Sequence, residues 1–192
     1  MNTPPAVPVI QRDASESIPY RLVLVVLGVF AVWCWFLLGP ANPGYALLVA
    51  MGTSALEPSL AFPLMRRVTY RHWRVSSGER LLHRMLGVSH FNSLLNFCGW
   101  NSLIRRMRGF SGTKAGLLAL ERHAEAGAVA HTICFAIHVL LSGLALLMQR
   151  PLRGALMMLL PGLALHFYPI LLQRSQLFRL RPLLEKAGSE TL

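Results

Sequence analysis

The stretch that decides the fold is AGAVAHTICFAIHVLLSGLALLM, residues 126–148. It holds no Asp, Glu, Lys or Arg, and its only histidines are His131 and His138. A helix of about 20 apolar residues crosses the roughly 30 Å of hydrocarbon in a membrane, because all its backbone hydrogen bonds are internal. The stretch is therefore predicted to be a transmembrane helix.

Three further segments are predicted to cross the membrane: residues 22–38, 45–65 and 154–172. The first is uncharged and longer than the apolar core of a signal peptide, so it is predicted to be a retained anchor. The other two are interrupted by proline, and the second also by Gly52 and Glu57. Hydrophobic residues make up 54% of the chain and charged residues only 14%, well below the roughly 25% of soluble domains.

The predicted fold is an all-α integral membrane bundle of about four transmembrane helices, with interfacial helices on the cytoplasmic side. Residues 1–20 are predicted by composition to be a disordered N-terminal segment. Residues 21–192 are predicted to form a single membrane-embedded helical domain. The three cysteines show no CxxC spacing and no disulfide framework, and they are interpreted as packing residues.

The net charge of +11 is unevenly distributed, and this predicts the orientation. Eleven Lys and Arg residues lie between positions 66 and 122, whereas the loop GPANPG at 39–44 has none. By the positive-inside rule, the basic loop and both termini are predicted to be cytoplasmic in a multi-pass membrane protein. Juxtamembrane arginines are attracted to anionic lipid by about 1 kcal/mol each, so no nucleic-acid partner is expected.

Two segments are predicted to lie at the cytoplasmic interface. Residues 90–107 have apolar residues at helical spacing that is broken near Gly99. In HFYPILLQRSQLFRLR, residues 166–181, the last span is expected to end and a short interfacial helix to follow. Its leucines, Leu177 and Leu180 among them, are expected to reach the acyl boundary, with its arginines among the headgroups.

Titratable groups within hydrocarbon are costly, so each is a functional candidate. Glu125 and His131 are favoured as functional, whereas His138 and His166 are interpreted as hydrogen-bonded packing residues. For Glu57, where a helix broken at Pro58 would leave backbone groups in need of partners, a functional and a structural role both stay open. Six residues at 100° each place His131 roughly 120° from Glu125 on the helix, so any carboxylate that orients His131 must come from another helix. No metal site is predicted, because the chain lacks HExxH and its His and Glu spacings make a poor ligand set.

Three motifs carry a family resemblance: GERLLHRMLGVSHFNSLL at 78–95, ERHAEAGAVAH at 121–131, and PILLQRSQLFRLRPLLEKAG at 169–188 preceded by HFY. Together they resemble the glycosyl-4,4'-diaponeurosporenoate acyltransferase family, small bacterial membrane enzymes of carotenoid glycoside biosynthesis. The chain departs from the family pattern in having His166 in place of Asn, Ser175-Gln176 in place of Tyr-Asn, and Ala128 in place of His. His131, one helical turn deeper, is then the candidate replacement for that histidine.

The resemblance implies transfer of a fatty acyl group, from acyl-CoA, to a hydroxyl of a membrane glycolipid such as a glycosylated carotenoid or other isoprenoid. His131 and Glu125 are the expected catalytic residues. The expected substrate-binding residues are Gln173, Arg174, Arg179, Glu79 and Glu57. No cofactor is expected beyond acyl-CoA as co-substrate. The alternative is a non-catalytic membrane assembly or lipid-binding subunit, whose polar residues serve only to lock helix contacts.

Overall fold

The computed structural model describes residues 20–65, 76–108 and 113–189, and within these ranges it contains helices and no strands. The predicted all-α class is therefore confirmed. Apart from Tyr20, the predicted disordered segment lies outside the described residues, and the division into domains stays a prediction. The helices are α1 (Tyr20–Leu38), α2 (Pro43–Met65), α3 (Ser77–Met85), α4 (Val88–Phe97), α5 (Trp100–Arg108), α6 (Lys114–Leu147), α7 (Leu152–Gly162), a π-helical turn (Leu163–Phe167) and α8 (Tyr168–Ser189).

In the described part of the chain, two helical stretches are long and apolar enough to cross a membrane, Gly116–Leu147 and Leu152–Lys186. The second comprises α7, the π turn and α8 in continuous succession. A shorter apolar stretch, Gly28–Leu38, lies within α1. A helical protein with two such stretches is thus established, while four spans remain a prediction.

Helix α6 lies at the centre of the bundle and contacts α2, α7 and α8. Thr113 caps its first turn, since the Thr113 hydroxyl accepts a hydrogen bond from the N–H of Gly116. Ala124 and Ala128, four residues apart, are fully buried. Small residues at this spacing let helix backbones approach closely, which is how helices associate where lipid supplies no hydrophobic drive.

The π turn lies between Pro161 and Pro169, each of which lacks the N–H that an α-helix needs. The backbone widens here, as in other π turns, and the turn carries the buried His166. Gly162, just before this turn, lies directly against α6: a β-carbon added to it would come within 2.5 Å of the Cβ atom of His138. Glycine thereby allows the two backbones to meet at the level of His138.

Three details of the sequence interpretation can be compared with the structure. The break predicted near Gly99 is confirmed, since α4 ends at Phe97 and Gly99 adopts a positive φ of 73°. The short separate interfacial helix predicted after the last span is wrong, because α8 continues without a break to Ser189. Leu177 and Leu180 are buried against the protein rather than at the acyl boundary. Helix α2 likewise continues through Glu57 and Pro58.

Candidate functional site

Three helical elements bring one carboxylate and two imidazoles together in the interior of the bundle. Oε1 of Glu57 on α2 lies 2.6 Å from Nδ1 of His131 on α6 and 2.7 Å from Nδ1 of His166 in the π turn. The two Nδ1 atoms are 3.4 Å apart. We call Glu57, His131 and His166 the membrane cluster. The carboxylate that orients His131 thus comes from a neighbouring helix, as expected from the roughly 120° that separates His131 from Glu125 on α6.

The cluster continues through Thr53, one turn before Glu57 on α2. The Oγ1 atom of Thr53 lies 2.9 Å from Nε2 of His166 and 3.3 Å from Nε2 of His138. Nδ1 of His138 lies 2.7 Å from the carbonyl oxygen of Met158, which can only accept, so His138 carries its proton on Nδ1. A connected polar chain therefore runs from Met158 through two histidines and a hydroxyl to Glu57.

The tautomer of His131 follows from its partner. An ionised carboxylate only accepts hydrogen bonds, so Nδ1–H of His131 donates to Glu57, and in the neutral form of the ring the lone pair is on Nε2. Nε2 of His131 makes no hydrogen bond to another described residue, and 16% of the His131 side chain is exposed. A histidine held by a carboxylate at Nδ1 and open at Nε2 has the arrangement of a general base.

His138 and His166 are fully buried. His138 is hydrogen-bonded through Nδ1, and its Nε2 lies 3.3 Å from the Thr53 hydroxyl, which agrees with the packing interpretation made from the sequence. His166 is hydrogen-bonded too, but it shares the Glu57 carboxylate with His131, so the structure places it beside the candidate base. The sequence analysis did not predict that His166 lies next to His131. The feature of the sequence that could have indicated it is the position of His166 between Pro161 and Pro169.

Glu125 lies apart from the membrane cluster. Its Oε1 atom is 3.4 Å from the guanidinium of Arg181, and Oε1 of Glu121 is 3.7 Å from the same group. Glu121 and Glu125 are four residues apart and share a helix face, as expected from the sequence. The structure brings Glu125 to Arg181 rather than to His131 or Arg174. Its catalytic role stays a prediction without a contact to the candidate base.

Two of the predicted substrate-binding residues, Glu79 and Arg174, contact each other. The Nε and Nη2 atoms of Arg174 donate to the two carboxylate oxygens of Glu79 at 2.8 Å and 2.7 Å. The backbone N–H of Ser76 also donates to the Glu79 carboxylate, at 3.2 Å. Burial acts to raise the pKa of Glu79, but the hydrogen bonds and charge of Arg174 outweigh it and lower that pKa below 4.5. This bidentate pair fixes α3 on α8.

His83, one turn after Glu79 on α3, is buried. Burial lowers its pKa below 6.5; the nearby charge of Glu79 opposes this effect and that of Arg174 adds to it. His83 is therefore neutral at pH 7. It was not among the residues singled out from the sequence.

Gln173, also predicted to bind substrate, is buried on α8 beside Gly127 of α6. A β-carbon at Gly127 would lie 3.2 Å from Nε2 of Gln173, so the glycine makes room for the amide. Oε1 of Gln173 has no hydrogen-bond partner among the described residues. A buried carbonyl oxygen without a partner is costly, and a bound hydroxyl would satisfy it. Arg179 is exposed and lines a cavity between α3, α4, α5 and α8.

The membrane cluster has the side-chain types of a metal site, since its three ligand atoms lie within 4.8 Å of one another. Zinc holds His and carboxylate ligands at about 2.0–2.1 Å, which separates tetrahedral ligand atoms by roughly 3.3 Å. The contacts of Glu57, at 2.6 Å and 2.7 Å, are shorter than this and have the lengths of charge-assisted hydrogen bonds. The geometry thus favours shared protons over a shared ion.

A family model described as glycosyl-4,4'-diaponeurosporenoate acyltransferase matches residues 66–186, more than half of the 192-residue chain. The chain belongs to this family. The resemblance drawn from the three motifs is therefore confirmed, and family and apolar helices together indicate a membrane protein. The acyltransferase match includes His131 and His166 but not α2, which supplies Glu57. No curated protein and no solved structure matched the chain.

Proposed function

We propose that the protein is a membrane acyltransferase that moves a fatty acyl group from acyl-CoA to a hydroxyl of a membrane glycolipid, such as a glycosylated carotenoid. The observation that carries the proposal is the state of His131, whose Nδ1 is held by a buried carboxylate and whose Nε2 is open. A carboxylate and two imidazoles inside an apolar bundle are costly to keep, and such groups are retained where they serve chemistry.

In the proposed reaction, Nε2 of His131 takes the proton of the acceptor hydroxyl as its oxygen attacks the thioester carbonyl. Glu57 stabilises the imidazolium that forms, through the 2.6 Å contact to Nδ1. The new C–O ester bond forms, the C–S bond breaks, and the leaving thiolate of CoA takes the proton from His131. General-base assistance of this kind typically contributes about 10² to 10⁴ in rate.

The tetrahedral intermediate needs hydrogen-bond donors for its oxyanion, and Gln173 and Arg174 are the proposed donors. The Gln173 amide packs on Gly127, four residues and about 6 Å along α6 from His131. An acyl carbon between the two side chains could reach both. Glu79 orients the Arg174 guanidinium by two hydrogen bonds, which makes Arg174 a preset rather than a mobile cation.

We also propose that α1, α2, α6 and the α7–α8 stretch are four spans, with both termini cytoplasmic. The charge asymmetry between the loop at 39–44 and the basic segment at 66–122 supports this orientation. With it, Gln173 and Arg174 lie on the cytoplasmic side of the membrane cluster, where a soluble acyl-CoA arrives.

The test is an acyl-transfer assay with purified protein in detergent, labelled acyl-CoA and a glycosylated lipid acceptor. Wild type is expected to form labelled ester, and His131→Gln is expected to lose at least about 100-fold in kcat/KM, within the range of general-base contributions. Undiminished transfer by His131→Gln would remove this site. Absence of transfer to every glycolipid tested would instead favour the non-catalytic assembly subunit. In such a subunit, buried histidines would only hold helices together, as His138 does through its hydrogen bond to the Met158 carbonyl.

A further inference from the structure

Helices α3, α4 and α5 expose large apolar side chains on the outside of the bundle. Phe97 is 90% exposed and Met85 76%, and Leu94 and Trp100 are also exposed. His83 of α3, by contrast, is buried on the side that faces the bundle. Exposed apolar patches of this extent mark contact with another apolar phase, so the three helices form a shell that fits immersion in lipid.

The interior of this shell is a cavity of about 1130 Å³ between α3, α4, α5, α6 and α8. Its volume is just above the roughly 300–1,000 Å³ of common small-molecule sites. Among the described residues that line it, the charged ones are Arg84 and Arg179, and none is Asp or Glu. A large ligand with negative charge suits this wall.

Three asparagines set the hydrogen-bonding character of the cavity. Nδ2 of Asn101 donates to Oδ1 of Asn96 at 2.8 Å and to Oδ1 of Asn92 at 2.9 Å. These two bonds fix all three amides, so the amino groups of Asn92 and Asn96 and the carbonyl oxygen of Asn101 have no hydrogen bond to another described residue. Preset amide donors and acceptors match ligand amides and the edge of a purine base.

The position of the cavity limits what can react from it. Leu172 on its wall is six residues, about 9 Å, from His166 along the helix, and Leu120 is eleven residues, about 16 Å, from His131. A sugar ring held there would keep its hydroxyls out of reach of His131. A ligand whose reactive atom sits at the end of a long flexible arm bridges the gap.

We propose that this cavity binds the CoA portion of the acyl donor, with the nucleotide phosphates at Arg84 and Arg179 and the amide-bearing arm extending past Leu172 and Gln173 toward His131. The proposal rests on the proposed function and names the donor site within it. The three asparagines contact the adenine base or the arm amides. The glycolipid acceptor then enters from the lipid side, and the two substrates meet at the membrane cluster.

The test is equilibrium binding of CoA itself to the detergent-purified protein by titration calorimetry, without acceptor or catalysis. Asn92→Asp keeps the acceptor for Asn101 and adds a negative charge, and it is expected to weaken CoA binding at least tenfold. Arg84→Gln combined with Arg179→Gln is expected to do the same. Arg153→Gln, in the turn before α7 at the other end of the bundle, is the matched control and should bind CoA as wild type does.

An excess of octyl glucoside as a sugar probe, added in a maltoside-free detergent, should leave CoA binding unchanged. The donor assignment would be overturned if the glucoside displaced CoA, or if Asn92→Asp and the double arginine variant bound CoA with wild-type affinity. In either case, acyl transfer by the wild type would leave the proposed function standing. A wild type that transfers acyl groups from acyl-carrier protein and binds no CoA would also overturn it. A wild type that neither binds CoA nor transfers acyl groups would remove the proposed function itself.

Discussion

Glu57→Gln is the sharpest test of the membrane cluster, because it changes one charge at nearly constant shape. In the native arrangement Oε1 of Glu57 accepts from Nδ1 of both His131 and His166, at 2.6 Å and 2.7 Å. A glutamine can turn its amino group toward Nδ1 of His131, which then becomes the acceptor. The proton of His131 moves to Nε2, and the ring can no longer take one from a substrate hydroxyl.

The expected magnitude follows from the loss of the base and of the charge that stabilises its protonated form. General-base catalysis contributes about 10² to 10⁴, so we expect kcat/KM for acyl transfer to fall at least about 100-fold, or roughly 2.7 kcal/mol. Because the two residues act as a unit, the Glu57→Gln/His131→Gln double variant should be little worse than His131→Gln alone.

The matched control is Glu121→Gln, the same chemical change on α6 in a partly exposed pair with Arg181 at 3.7 Å. Such a pair contributes only about 0–1 kcal/mol, so activity should stay within about twofold of wild type. Labelled acyl-CoA and a glycosylated lipid serve as substrates, and thermal unfolding checks that each variant is folded. A folded Glu57→Gln protein with more than one third of wild-type kcat/KM would refute the base assignment.

Four further predictions address other parts of the molecule. Gly162→Ala should lower the unfolding temperature by an overpacking penalty of about 1–3 kcal/mol, since the new β-carbon would lie 2.5 Å from a histidine of α6, whereas Gly143→Ala, with no atom within 4 Å, should not. The lowered pKa of His83 means that unfolded chains bind its proton first, so stability should fall as the pH drops below 6.5, and His83→Gln should flatten that part of a thermal-unfolding pH series. In intact cells an impermeant thiol reagent should label Asn42→Cys and miss the native exposed Cys98; labelling of Cys98 would reverse the orientation. Chelation of divalent metals should leave acyl transfer unchanged, and stoichiometric zinc in the purified protein would contradict the hydrogen-bonded state of the membrane cluster.

Periodicity and composition were sufficient to predict the helices and the break near Gly99, because both depend on local spacing and on glycine's tolerance of positive φ. The same angular argument separated Glu125 from His131. The partner of His131 could not be identified this way, since which helix faces another depends on tertiary packing. Glu57 was singled out only as a polar residue in an apolar span, and the structure turns it toward His131 and His166.

The border at the end of the last span shows a different limit. Three arginines and a glutamine were interpreted as the end of one helix and the start of another. Leu, Arg, Gln, Glu and Lys are all good helix formers, so leaving the membrane gives this chain no reason to break, and α8 continues to Ser189. Pro182, inside α8, removes one N–H donor and is tolerated. Polarity marks where a helix changes solvent, not where it ends.

Three of the basic groups on the π turn and α8, about two turns apart, each contact a carboxylate from a different helix. His166 meets Glu57 of α2, Arg174 meets Glu79 of α3, and Arg181 meets Glu121 and Glu125 of α6. The exposed fraction of the basic side chain falls from 24% at Arg181 to 17% at Arg174 and 0% at His166.

This gradient explains why the most deeply buried pair uses histidine. An arginine remains charged under all physiological conditions, so burying it completely would leave a permanent charge to be compensated. An imidazole can be neutral while it is buried and charged for the moment in which a proton is held. Catalysis by a base needs a group of that kind, beside a carboxylate that stabilises the charged form. On this argument the proposed chemistry belongs at the level of His166 and His131, while the arginine pairs of α8 hold the helices in position.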